Sequence, residues 1–446
     1  MRILFISANQ ERQPDPIPPL GVCYVANAAR KAGHDSELLD LNFVPDPDQA
    51  VRDAVTSYRP DVIGLSLRNV DNVAFPYSIS YLDHYRRIVR TCRETAPCVP
   101  IVVGGSAYSL FPETFTQALG VDFGVVGEGE DAFVKLLGRM AAGNRPQAPQ
   151  ILYPRGSSVA IEHTFPAWDL LDVKRYFQDG GSINIQTKRG CPYRCAYCTY
   201  PQLEGRKVRQ MSPSRVADQM EHCMDRYGVD YFFFVDNVFN FPPSHSIAIC
   251  DEIVRRGLNV RWTAYVSPAH TDADLFAAYA QAGCTSVDFG TDAASELGLR
   301  SLDKDFGREA ILDCSRWCAE NGIRFNHSVI LGVPGETRDS IEEAIETLTA
   351  CQPTAVTAMI GIRVYPNTPL SARLESEGWI GRGQIGLEPI FYIEDEVRDY
   401  LIERIRSLAS ERGNWIVPGL RKRMDDTIFQ RLRARGLKGP LWKFLA

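Results

Sequence analysis

Apolar runs of four to seven residues recur along the chain, each followed by a stretch where apolar positions return every three or four residues. In the first third the runs lie at 2–7, 36–41, 61–67, 100–104 and 121–126, with helical patterns near 19–33, 48–58, 78–96, 112–119 and 131–142. Continuous apolar runs mark strands buried on both faces. Their alternation with helices predicts a parallel sheet covered on both sides. Five such strands predict the flavodoxin-like (Rossmann-type) order 2-1-3-4-5, with ligands at the carboxyl ends of the strands. A second series predicts strands at 183–187, 229–236, 260–266, 284–291, 324–331 and 355–364, with helices such as 212–227, 308–321 and 338–351 between them. Pro- and Gly-containing sequence at 143–149 marks a boundary. The expected organisation is therefore a domain at 1–145, a linker at 146–181, a second α/β domain at 182–375 and a small, mainly helical C-terminal region at 376–446. That last region carries helical patterns at 395–411 and 424–435 and a basic cluster, Arg421, Lys422 and Arg423, expected to be a solvated helix face.

Polar residues interrupt the pattern where strands end. The loop Pro16-Ile17-Pro18-Pro19-Leu20-Gly21 feeds the first helix. The third strand runs into Ser66, Arg68 and Asn69, the fourth into Gly104, Gly105 and Ser106, and the fifth into Gly127, Glu128, Gly129 and Glu130. Glycines there let a ligand approach the backbone. Tight packing accounts for single glycines but not for glycine-plus-polar sets at three consecutive ends. In the second domain the corresponding ends carry Asp236 and Asn237, Tyr265 and Ser267, Asp292, and the turn Gly332-Val333-Pro334-Gly335-Glu336-Thr337. Strand capping is the competing account of each.

After the first strand of the second domain comes Gly190-Cys191-Pro192-Tyr193-Arg194-Cys195-Ala196-Tyr197-Cys198. Three thiolates in a CxxxCxxC spacing can hold three irons of a cubic [4Fe–4S] cluster, which normally takes four cysteines, and so leave one iron open to a small molecule. Gly190 and Pro192 suit a tight loop. Structural zinc is the rival account, but it ordinarily needs four protein ligands in paired spacings. No further cysteine follows until Cys223, and His163 and His222 are badly placed.

Composition narrows the field. A chain of 446 residues is long enough for two or three domains, and 45% apolar residues is ordinary for a globular protein. A net charge of −6 argues against a nucleic-acid partner. No apolar run reaches the length of a membrane span. The first residues look like a buried strand, not a signal peptide. A cytoplasmic, reducing location is expected, so the twelve cysteines are not a disulfide framework.

The cysteine loop, with Tyr197 before its last cysteine and the strand-like run 183–186 ahead of it, resembles the cluster loop of the radical S-adenosylmethionine (SAM) enzymes. The first domain looks like the cobalamin-binding domain of one large subfamily, on the strength of PPLG at 18–21, VVGGS at 102–106 and VGEGE at 126–130 in that order. Residues 165–171, FPAWDLL, resemble its docking strap. The resemblance implies a partial (β/α)6 barrel after a cobalamin-binding domain. It implies a cluster on Cys191, Cys195 and Cys198. SAM would lie against Tyr197, Asp236, Asn237, Tyr265, Ser267, Asp292 and Gly332. Cobalamin would lie against Leu20, Gly21, Ser66, Arg68, Asn69, Gly104, Gly105, Ser106, Gly127, Glu128, Gly129 and Glu130. Two departures stand out. Asp292 replaces a more usual Gly-x-Glu-Ser pattern. The DxHxxG histidine that ligates cobalt from below is missing from the loop at 8–20, so no protein imidazole is expected there, and Arg68 is placed to approach that side.

The implied activity is methylation of an unactivated carbon in a small-molecule or natural-product substrate. One SAM would remethylate cobalamin, a second would yield a 5′-deoxyadenosyl radical, and a reductant such as flavodoxin or ferredoxin would supply electrons. The alternatives are a cyclisation or rearrangement with the same cofactors, a radical SAM enzyme whose cobalamin domain is vestigial, and a non-catalytic iron–sulfur or zinc module.

Overall fold

The structure, a computed structural model, describes residues 1–144, 147–153, 160–420 and 426–444. Its first sheet is made of β1 (Arg2–Ser7), β2 (Asp35–Asp40), β3 (Val62–Ser66), β4 (Ile101–Gly104), β5 (Phe123–Val125) and β6 (Gln150–Leu152). The order is β2-β1-β3-β4-β5-β6 and every pairing is parallel. The expected 2-1-3-4-5 order is present, with one correction. The segment taken for linker supplies a sixth strand, registered Phe123↔Gln150. Three residues flanked by Pro149 and Pro154 are too few to show a strand period.

The second domain begins with β7 (Ile183–Ile185) and the hairpin β8 (Lys188–Arg189)/β9 (Arg209–Gln210), which brackets the cysteine loop. β10 (Tyr231–Phe234), β11 (Arg261–Val266), β12 (Cys284–Asp292), β13 (Arg324–Leu331) and β14 (Ala355–Ile360) follow. Then come β15 (Ile362–Arg363), β16 (Phe391–Tyr392) and β17 (Trp415–Ile416). The large sheet runs β17-β14-β13-β12-β11-β10-β7. It is the expected partial barrel plus one edge strand, β17, from the C-terminal region, where two residues again give no period to detect.

Alternation along these strands separates two faces. Phe232, Trp262, Val287, Phe289, Phe325 and Val329 are buried in the apolar core. The positions that alternate with the core-facing ones, Phe233, Tyr265, Asp288, Asn326, Ser328 and Thr357, share the opposite face, toward the lumen. The strap docks on the first helix, where Asn27 donates to the Phe165 carbonyl (2.8 Å) and Ala167 N–H to that of Cys23 (3.1 Å). Trp168, buried beside them, belongs to one continuous apolar cluster that includes residues of both sheets.

The C-terminal region has the expected helices at Arg398–Glu411 and Asp426–Ala434. The basic cluster Arg421–423 lies outside the described residues. The last turn, Leu441–Phe444, passes beneath the amino ends of the barrel strands. There Lys443 Nζ donates to the Tyr231 hydroxyl (3.2 Å) and Arg324 to the Lys443 carbonyl. Among the described residues, no helix is long and apolar enough to cross a membrane.

Candidate active site

The carboxyl ends of the first sheet face those of β7, β10 and β11 across a cavity of about 680 Å³. All twelve residues expected against cobalamin line it. A Cβ on Gly21 would meet nothing within 4 Å, and one on Gly104 would come no closer than 3.5 Å to its nearest atom. Side chains there would have room to stand, so these glycines keep open a space suited to a bulky flat ligand. Gly105 serves the turn instead: its φ is +100° and a Cβ would lie 2.4 Å from the Leu67 carbonyl oxygen. Ser106 donates to the Arg68 carbonyl (2.6 Å), tying the third and fourth strand ends together. Among the described residues, no histidine lines the cavity. His84, packed near the first loop, is engaged with the Ala8 carbonyl at 2.9 Å.

Glu128 and Glu130 line this wall, but their carboxylates are spent on the other domain. Arg189 contacts Glu130 at 2.7 Å and Glu128 at 3.2 Å, and Arg209 also holds Glu128. Burial works against the Arg189 charge, and the two carboxylates more than offset it. The expected ligand contacts are thus a clamp between the cobalamin-type domain and the hairpin around the cysteine loop.

Within that hairpin, Gly190 has φ +94°, and a Cβ would lie 2.3 Å from the Lys207 carbonyl oxygen. The loop is pinned by Gly190 N–H to Glu204 (3.0 Å), Cys191 N–H to the Gly205 carbonyl (3.1 Å) and Ala196 N–H to that of Leu302 (2.9 Å). Cys191, Cys195 and Cys198 are free thiols. Burial pushes all three up, Cys198 to about 12; neighbouring thiols add to the effect at Cys191 and Cys198, while at Cys195 the Lys304 ammonium works against it. Bound iron would invert this balance and draw off the protons. Three soft sulfurs fit a [4Fe–4S] cluster, which shares its cysteines among separate irons. Among the described residues, no three His, Cys, Asp or Glu side chains gather around a single ion position.

Asp292, at the end of β12, stands beside the cysteines. The strand register shifts just before it, and it adopts φ +60°. Its carboxylate takes Lys304 Nζ at 2.5 Å and the hydroxyl of Tyr197, and the same Nζ lies 3.6 Å from Cys195 Sγ. Tyr265 is 42% exposed, with its ring 4.7 Å from Phe233, and both line the cavity. Asn237 donates to Glu204 (2.7 Å), which also accepts from Gln186 (3.2 Å).

Three expected SAM contacts are committed elsewhere. Asp236 is fully buried and accepts from Thr187 N–H (2.6 Å), Thr187 Oγ1 (2.5 Å) and Lys188 N–H (3.1 Å). A capped strand end, not an open one, is what an aspartate makes when two amides point at it. Ser267 accepts from Ala269 N–H at 3.2 Å. Gly332 donates to Glu336 (2.5 Å), and a Cβ on it would lie 2.9 Å from Ile393, away from the cavity. Glu204, Lys304 and Arg209 carry no motif, and only the fold brings them to the site, whereas Arg189 adjoins the cysteine loop in sequence.

Residues 13–137 match the family model described as the B12 binding domain, and residues 185–348 match that of the radical SAM superfamily. The tryptophan 2-C-methyltransferase of Streptomyces laurentii is 25% identical over 450 residues, covering 84% of this chain and 74% of its own. The anaerobic magnesium-protoporphyrin IX monomethyl ester cyclase of Cereibacter sphaeroides is 24% identical, covering 84% of this chain and 64% of its own. The solved structure of the radical SAM methyltransferase TsrM from Kitasatospora setae, with tryptophan and a SAM analogue bound, superimposes with a TM-score of 0.87. It is 21% identical and covers 100% of this chain and 97% of that one. The same protein has been solved with cobalamin and a [4Fe–4S] cluster, at a TM-score of 0.85. This chain is accordingly a radical SAM enzyme that joins a B12-binding domain to a radical SAM domain, the pairing found in cobalamin-dependent radical SAM methyltransferases.

Proposed function

We propose that the protein methylates an unactivated carbon of a small molecule, with cobalamin, SAM and a [4Fe–4S] cluster as cofactors and a flavodoxin or ferredoxin as electron donor. One observation carries this reading. The glycine-rich wall of the first domain and the hairpin around Cys191, Cys195 and Cys198 border a single cavity. When bound, the three cofactors supply radical formation and a transferable methyl group. The chain's own part is to bind and orient. Cys191, Cys195 and Cys198 would hold the cluster, Tyr197 and Asp292 would stand next to SAM, and the glycine wall with Arg68 and Ser66 would take the corrin. The clamp of Arg189 and Arg209 on Glu128 and Glu130 fixes the separation of the two walls, which proximity catalysis requires. The domain boundaries at 145, 182 and 375 belong to this proposal.

The test is anaerobic reconstitution followed by incubation with SAM and a chemical or flavodoxin-type reductant. Expected are about four irons and one cobalamin per chain, with S-adenosylhomocysteine among the products. Cys191→Ala, Cys195→Ala or Cys198→Ala should each abolish iron uptake. Stoichiometric zinc without iron would overturn the reading. Formation of 5′-deoxyadenosine alone, with cobalamin bound, would favour the cyclase-like alternative that the Cereibacter relative represents.

A further inference from the structure

Below Tyr265 the lumen of the barrel contains a polar row that none of the cofactors accounts for. Tyr265, Asp288 and Asn326 are direct register partners on β11, β12 and β13. Asp288 Oδ1 accepts from Asn326 Nδ2 (2.8 Å) and Ser328 Oγ (2.9 Å), and Thr357 in turn donates to Asn326 Oδ1 (3.2 Å). From the floor, Trp442 of the last turn donates its indole N–H to Asp288. The C-terminal segment therefore supplies part of this site.

Among the described residues the donors to Asp288 are neutral, and a carboxylate offers about four acceptor positions. Burial comes first in raising its pKa, to about 6, with the Asp292 charge adding to it, so at neutral pH most of it is a half-buried anion, and among the described residues it has no ion-pair partner. A carboxylate in that state is costly unless a cation reaches it. The surroundings favour one. The Phe233 and Tyr265 rings stand on the same lumen face, and aromatic faces attract cations. Asp288, Ser328 and Thr357 are each partly exposed, and Tyr265, the register partner of Asp288, borders the interdomain cavity, so Asp288 lies next to the space assigned to the corrin.

Building on the function proposed above, we infer that Asp288, with Asn326, Ser328 and Trp442, is the recognition subsite for a substrate amine. The substrate is a small molecule whose ammonium group sits on Asp288 and whose apolar body lies against Phe233 and Tyr265, beneath the cavity between the domains. Asp288 selects and orients and takes no part in bond breaking. Anionic substrates of the same size are excluded by its charge.

The experiment uses protein loaded with cluster and cobalamin, titrated calorimetrically at pH 8 with 2-phenylethylamine and with 3-phenylpropionate, a matched ammonium and carboxylate. The amine should bind at least tenfold tighter than the acid. Asp288→Asn should weaken the amine at least tenfold and narrow the gap. Equal affinities, preference for the acid, no binding of the amine, or an amine affinity unmoved in Asp288→Asn would each overturn the inference. Iron and cobalamin are quantified in every sample. A wild-type protein that loads neither refutes the proposed function, whereas a loaded one without the amine preference refutes only the subsite. Should Asp288→Asn fail to load, the wild-type comparison of amine with acid still decides.

Discussion

Asp236 and Asp292 occupy equivalent places at the ends of β10 and β12 and meet different fates. Asp236 is fully buried, turned back on the Thr187 and Lys188 amides, and 3.9 Å from the Lys188 ammonium. It fixes the chain just before the cysteine loop. Asp292 faces that loop, balanced by Lys304. A strand-end aspartate is visible in the sequence, but which way its carboxylate turns depends on whether free amides lie behind it, and that depends on tertiary packing. The cysteines were legible from spacing because a cluster demands sulfur and little else. Lys304 was not, since its link to Asp292 and Cys195 spans the loop after Ser301. Removing Asp236 would leave two amides and a buried ammonium without their acceptor, although Lys188 retains the Phe239 and Phe241 carbonyls. Asp236→Ala should therefore lower unfolding stability by about 3 kcal/mol, with SAM affinity unchanged in the fraction that keeps its cluster. Asp292→Ala should weaken SAM binding in cluster-loaded protein. Wild-type denaturation of Asp236→Ala would contradict the capping role.

At the scale of elements, long strands and helices were readable because burial on both faces imposes their periods, whereas β6 and β17 are three and two residues long and borrow their strand character from a neighbour's edge. The turn after β13 is a different case. Its Gly-x-Pro-Gly-Glu-Thr pattern was visible, but the turn is built to close on itself. Glu336 accepts from Gly332 N–H (2.5 Å) and Val333 N–H (3.2 Å), while Thr337 caps the next helix. Burial pushes Glu336 up to about 7, although the two amides pull the other way. An unfolded glutamate titrates near 4.3. Between those values the folded protein holds a proton that the unfolded chain has released, so this group's contribution to stability falls as pH rises through the window. Glu336→Gln keeps an oxygen for both amides and removes the ionisation. Urea midpoints measured from pH 5 to pH 8 should fall less in Glu336→Gln than in the wild type. Parallel curves would exclude Glu336 as a source of the pH dependence.

The whole molecule is two α/β domains held at a fixed separation by buried charge. Arg363 meets Asp71 at 2.9 Å and Arg189 meets Glu130 at 2.7 Å, each pair crossing between the domains and nearly inaccessible to water. Buried pairs of this kind are a weak source of stability but a strict one of geometry, since a shifted domain would strand the charges. The cavity they frame is lined on one side by the glycine, polar and apolar strand ends of the first domain and on the other by Arg189, Thr199, Tyr200 and Glu204, which flank the cysteine loop, and among the described residues no histidine lines it. That last feature sets the final prediction. A cobalt ion held here has no histidine to bind on its lower face, and Arg68, a cation with no lone pair to donate, is the charged group placed at that strand end. The corrin's own nucleotide base would have to be displaced for its tail to run between the glycine-lined strand ends. Paramagnetic resonance of the protein loaded with cob(II)alamin should accordingly show cobalt hyperfine lines without superhyperfine splitting from an axial nitrogen. A resolved nitrogen triplet would mean that a base remains on the metal, and the ligand-free arrangement would fall. Failure to take up any cobalamin under anaerobic reconstitution would leave the first domain as a scaffold whose glycine wall serves packing alone.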